Sequence, residues 1–182
     1  MATTATPMGA EPVNTLSASG SYTGKVRHIK IANAYGTAIF YGDFVKLVAA
    51  GTLEKAAVTT SVVAGTVGIF VGCSYTDPST SQLTFNQTFP ASTAADDIMA
   101  YVVDDPKLVF QMQGDEAIAQ TGLGNNVSAV STAGSTTIGR SKNALDGGSI
   151  ATTNTLPLRI VEFVDGPTST VGDTYTDCLV TY

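Results

Sequence analysis

Ile98-Met99-Ala100-Tyr101-Val102-Val103-Asp104-Asp105-Pro106-Lys107-Leu108-Val109-Phe110-Gln111-Met112-Gln113 is the stretch whose reading decides the fold class. Two apolar runs flank Asp104-Asp105-Pro106-Lys107. Proline holds its own φ near the value a turn needs after its first residue and pushes Asp105 into an extended conformation, so these four residues read as a turn. In the second run Leu108, Phe110 and Met112 share one face while Gln111 and Gln113 take the other. That period of two belongs to a half-buried strand. The stretch therefore predicts an antiparallel hairpin with its tip at Asp105-Pro106.

The same punctuation continues on either side. Val26, His28 and Lys30 alternate with Arg27, Ile29 and Ile31, and Phe44 to Val48 is set between a Gly42-Asp43 turn and Ala50-Gly51. Val67 to Tyr75 is a longer apolar run whose Gly68 and Gly72 mark a bulge or a close backbone approach. Residues 77–95 read as a long polar, irregular connection around Leu83, Phe85 and Phe89, with room for one edge strand. Leu156 to Val164 and Tyr175 to Tyr182 supply two final strands, and Gly139 to Asp146 has room for one short helical turn. Residues 1–24 hold few large apolar side chains and read as an extended N-terminal arm. The expected class is all-β: a small antiparallel β-barrel, begun by 25–76, connected through 77–95 to a β-rich subdomain at 96–182 that packs with it.

A chain of 182 residues suits one domain, or two small ones sharing an interface. Charged residues make up 13%, against about 25% in an ordinary soluble domain. A surface supplied instead by Thr, Ser, Gly and Asn is covered by a partner with little ionic desolvation. The net charge of −6 and the lack of any Lys/Arg cluster argue against nucleic acid as a partner. No apolar run approaches the length of a membrane span, and Met1 to Pro7 lacks the basic start and apolar middle of a secretory leader. The expectation is a soluble protein made in a cytoplasm, without a membrane partner. Cys73 and Cys178 each lie in an apolar run outside any metal spacing and read as buried free thiols.

Chemistry finds few footholds. His28 is the only histidine and no nucleophile motif accompanies it, so a hydrolytic triad is disfavoured and a surface or subunit contact is expected there. Gly122-Leu123-Gly124 lacks the third glycine of a dinucleotide fingerprint, and Gly139-Arg140-Ser141-Lys142 carries a P-loop's residue types in the wrong order. Among carboxylates, Asp96-Asp97 and Asp104-Asp105 bracket one strand and sit about 20 Å apart. Folding the hairpin at Asp105-Pro106 instead brings Asp115 and Glu116 beside Asp96 and Asp97. No metal is expected there: the four read as a solvated acidic rim or a contact to a basic partner surface, and the alternative is a calcium site of oxygen ligands, although no defined calcium loop surrounds them. No cofactor is expected.

Gly42-Asp43-Phe44-Val45-Lys46-Leu47 and Gly65-Thr66-Val67-Gly68-Ile69-Phe70-Val71-Gly72 resemble the barrel of head-decoration, or capsid-cement, proteins of tailed bacteriophages. Ala100 to Pro106, Gly139-Arg140-Ser141, Leu145-Asp146 and Leu156 to Val161 are similar to a pattern in small virion proteins of marine phages. The resemblance spans about residues 25–182 and rests on turns and strand runs. It implies a protein on the capsid exterior that binds major capsid protein after shell expansion and clamps neighbouring subunits, commonly as a homotrimer, with the N-terminal arm joining the contact. The contact residues expected on this basis are Thr3, Thr4, Pro7, Met8, Val13, Leu16, Tyr22 and His28. This chain is longer than the compact decoration proteins, chiefly in its second half. The alternative is a receptor- or glycan-binding module on the virion surface. Neither role requires an enzyme.

Overall fold

The computed structural model describes residues 4–17, 22, 24–59 and 64–182. Among these residues twelve strands alternate with turns, and the one helical segment is the short 3₁₀ turn Gln120–Gly122. The strands are β1 (Glu11–Thr15), β2 (Arg27–Lys30), β3 (Phe44–Leu47), β4 (Leu53–Lys55), β5 (Thr66–Thr76) and β6 (Leu83–Asn86), followed by β7 (Met99–Val103), β8 (Leu108–Gln113), β9 (Asn126–Val130), β10 (Ala144–Ala151), β11 (Leu158–Phe163) and β12 (Asp177–Thr181). They form two antiparallel sheets. The first runs β2-β7-β5-β3-β4, with β6 paired to the far end of β5; the second runs β1-β8-β12-β11-β9-β10.

The sheets do not close into the expected barrel. A single bridge between Ile31 and Leu53 links the two edges of the first sheet, and one bridge is not a ladder. The two sheets instead share a core in which Phe44, Ile69 and Val103 of the first meet Leu108, Phe110, Met112, Val127, Ile160 and Val180 of the second. Phe44 and Phe110 pack edge to face at 5.6 Å between ring centres, a favoured arrangement because the positive ring edge meets the negative face. The opposite face of the first sheet has its own core, with Ile31, Ile39, Val45, Leu53, Phe70, Phe89 and Ile98 fully buried.

The stretch 98–113 does form two strands and a turn, with Asp105 accepting a hydrogen bond from the Lys107 N–H at 2.9 Å. It is not a hairpin. β7 pairs with β2 and β5, whereas β8 pairs with β1 and β12. The chain arches over the shared core, leaving the first sheet at Val103 and entering the second at Leu108, so the sheet boundary falls at this turn. Turn chemistry and a period of two are common to hairpin and arch; only the burial of Val103 and Leu108 against each other's sheets separates them.

Part of the N-terminal segment read as an arm is strand. Residues 11–15 form β1 on the edge of the second sheet, and Ala10 is fully buried. The 139–146 segment contributes the start of β10 and no helical turn. The glycine readings in β5 both hold: register shifts between Phe70 and Gly72, and a Cβ on Gly68 would lie 2.0 Å from the Val103 carbonyl oxygen. Cys73 and Cys178 are buried free thiols, and burial pushes each up to about 12, helped at Cys178 by the Asp177 charge.

Candidate functional site

A buried polar junction fixes the surface on which the candidate contact residues stand. Gly42 turns the chain with φ +87°, a conformation costly for any residue with a Cβ. The turn sends the fully buried Asp43 carboxylate between the sheets. One of its oxygens accepts the Phe40 N–H at 2.9 Å and pairs with Lys55 Nζ at 2.8 Å. The other accepts the Ser141 hydroxyl at 2.7 Å and the Asn143 amide at 3.2 Å. A buried carboxylate is tolerable only when its lone pairs are met this fully. Sequence reading missed this junction, treating Asp43 as a turn residue and Ser141 as part of a failed P-loop. The available signal was an acid and a base, Asp43 and Lys55, bordering neighbouring apolar strands.

The N-terminal strand is clasped to this junction. Ala10 N–H donates to the Gly42 carbonyl at 2.9 Å, and Arg140 pairs with Glu11 at 2.6 Å while lying 4.9 Å from the Tyr41 ring centre. Burial, reinforced by the Glu11 carboxylate to which Tyr41 donates, pushes the Tyr41 hydroxyl up to about 12. Of the expected contact residues, Thr3 lies outside the described residues. Thr4 is exposed and Pro7 half-buried. Met8, Val13 and Leu16 are 47%, 41% and 57% exposed, a large apolar fraction for one short segment. Tyr22 packs against the shared core. His28 stands on a different sheet, exposed on β2 with its ring 4.6 Å from Tyr101. The expected set therefore divides between the edge of the second sheet and the outer strand of the first.

The four expected carboxylates do not converge, because the hairpin that would have aligned them is an arch. Asp96 accepts from Asn33 at 2.6 Å. Asp97 accepts the Thr76 hydroxyl at 2.6 Å and its backbone N–H at 3.1 Å, which hold its carboxyl below the usual range. Asp115 and Glu116 lie instead with Asp146, each offering an oxygen within 4.8 Å of the others. Asp115 already accepts from Gly147 N–H and Asp146 from Ser128. Calcium takes about 6–8 oxygen ligands, and these three mainly exposed acids form no defined loop; no metal is assigned to them.

A surface depression of about 520 Å³ is lined by Val58, Val67, Asp105, Pro106, Pro157 and Tyr182. No helix among the described residues is long and apolar enough to cross a membrane. Comparisons with protein-family models, with curated proteins and with solved structures give no match to this chain.

Proposed function

We propose that this protein is a non-enzymatic virion component that binds the outer surface of an expanded icosahedral capsid and bridges neighbouring major capsid subunits. The observation that carries the reading is the N-terminal edge: Met8, Val13 and Leu16 are exposed before, within and after β1, a strand held in place by Arg140 and the Asp43 junction. Apolar side chains on a fixed edge make a contact surface that loses little conformational freedom on docking. The low charge density of the chain keeps desolvation small when that surface is covered. Each contact is shallow, and self-association as a homotrimer would raise the avidity of the set. The capsid exterior is the proposed location, after synthesis in the host cytoplasm.

The test is binding of the purified chain to expanded and unexpanded shells, followed by heating of virions made without it. Saturable binding to expanded shells alone, weakened by Leu16→Lys, is expected. Virions lacking the protein are expected to release DNA at lower temperature. Equal robustness removes the bridging role, and specific binding to host glycans in place of shells would favour the receptor-binding reading.

A further inference from the structure

The first sheet carries an edge that the proposed capsid contact does not use. β6 pairs with β5 on one side only, through Cys73–Asn86, Ser74–Phe85, Tyr75–Thr84 and Thr76–Leu83. No strand covers its other side among the described residues. Cys73 and Tyr75 point into the core, so Leu83 and Phe85 point to the opposite face with Ser74 and Thr76. They are 62% and 69% exposed, the two highest values among the large apolar side chains described. The same face of β7 begins with Met99 and Tyr101, both half-buried, and ends with Val103 in the shared core. The second sheet thus covers one end of this face and leaves the β6 end open.

Free strand edges template pairing with another chain, and proteins normally blunt them with lysine, proline or a bulge. β6 has none of these: Gln82 to Thr88 contains no charge and no proline, and its register against β5 is unbroken. The uncharged stretch extends from Pro78 to Ala95 in a chain whose net charge is −6. Two copies of this chain therefore meet little like-charge repulsion between their β6 strands.

Parity then selects the register. Residues directly opposite one another in an antiparallel pair lie on one face, so a two-fold pairing of β6 with itself must centre on a residue. Centring on Thr84 sets Leu83 opposite Phe85 twice, on the exposed face, and Thr84 opposite Thr84 on the other. Aromatic–aliphatic and Thr–Thr pairs are both favourable across strands. Centring on Phe85 would instead oppose Leu83 to Gln87. We propose that β6 is a two-fold contact with a second copy of this chain, centred on Thr84, that joins the first sheets of both copies into one continuous sheet. It is independent of capsid binding and separate from any three-fold association.

A contact of four residues belongs with small, transient interfaces, below about 1,200 Å². Sedimentation velocity of the full chain is therefore followed up to about 1 mM, the range in which weak association is read. Concentration-dependent dimerisation is expected, weakened about tenfold or more by Phe85→Glu. The register is read by mild oxidation of Thr84→Cys, whose two copies fall within disulfide range across the axis. Gln82→Cys is the control, because its copies lie about 13 Å apart along the strands; the two native thiols are buried. A covalent dimer from Thr84→Cys alone supports the proposal. A monomer at every concentration, association indifferent to Phe85→Glu, or equal crosslinking of both cysteine variants overturns it.

Discussion

Replacing Asp43 by alanine should remove a large part of the stability of the whole molecule. The carboxylate is fully buried and accepts from Phe40, Ser141, Asn143 and Lys55, the last with its side chain only 15% exposed. Truncation leaves an ammonium with no counterion and three donors with no acceptor. Removing one partner of a buried ion pair typically costs about 3–5 kcal/mol, against a total of about 5–15 kcal/mol for a native domain. Lys55→Met should cost a similar amount, since it strands the carboxylate. Ser141→Ala, which removes one of four donors, should cost about 1–3 kcal/mol. Because the two charges share one interaction, the double variant should fall short of the sum of the singles by about 2 kcal/mol. Urea unfolding monitored by tyrosine fluorescence and far-ultraviolet circular dichroism measures all four. Added salt should change the coupling little, as screening reaches exposed pairs far more than buried ones. A cost below about 1 kcal/mol for Asp43→Ala, or strict additivity of the pair, would show that the junction is not what holds the sheets together.

Three further outcomes follow from the same contacts. Arg140→Lys keeps the charge but loses the planar group lying on Tyr41, so hydrogen exchange at residues 10–15 should quicken while β11 and β12 stay protected. Gly68→Ala would place a Cβ 2.0 Å from the Val103 carbonyl oxygen; forcing β5 and β7 apart should cost about 3 kcal/mol or more, seen as a lowered urea midpoint or an insoluble product. Burial raises the Asp177 carboxyl above its ordinary value, partly offset by a hydrogen bond from Gln113. A carboxyl whose folded value is raised favours the native state while protonated, and that contribution is lost as pH rises through the folded value. Asp177→Asn should therefore raise the unfolding midpoint at pH 7 and leave it nearly unchanged at pH 3, and equal shifts at both values would contradict the burial argument.

Much of the strand content was legible because period-two runs are local. β5, β7, β8, β11 and β12 announce themselves by apolar runs and by the turns around them, and the 77–95 connection reads as having room for one edge strand without placing it, where β6 lies. What was not legible was long-range pairing. β1 is built from Glu11-Pro12-Val13-Asn14-Thr15, a segment with one large aliphatic residue that becomes a strand only because β8 offers it an edge. β10 contains Gly147-Gly148, which weakens any local strand signal. The candidate calcium site failed for the same reason. Its four acids were brought together by assuming that 98–113 pairs with itself, and the chain crosses between sheets there. Asp43 escaped notice because Ser141 and Asn143, its decisive partners, lie 98 and 100 residues away.

The position of β12 has a consequence for how the molecule is made. β12 lies between β8 and β11 in the middle of the second sheet, although it follows all the other described strands in chain order. While the ribosome extends the chain from Gln113 to Asp177, β8 has no inner neighbour and only β1 to pair with. At about 5–20 residues per second this interval lasts several seconds. The first sheet has all its strands once Val103 has emerged, so it can form ahead of the second. The nascent protein thus carries a finished half beside a half with a central gap, and Cys178, Val180 and Thr181 close that gap once β12 emerges.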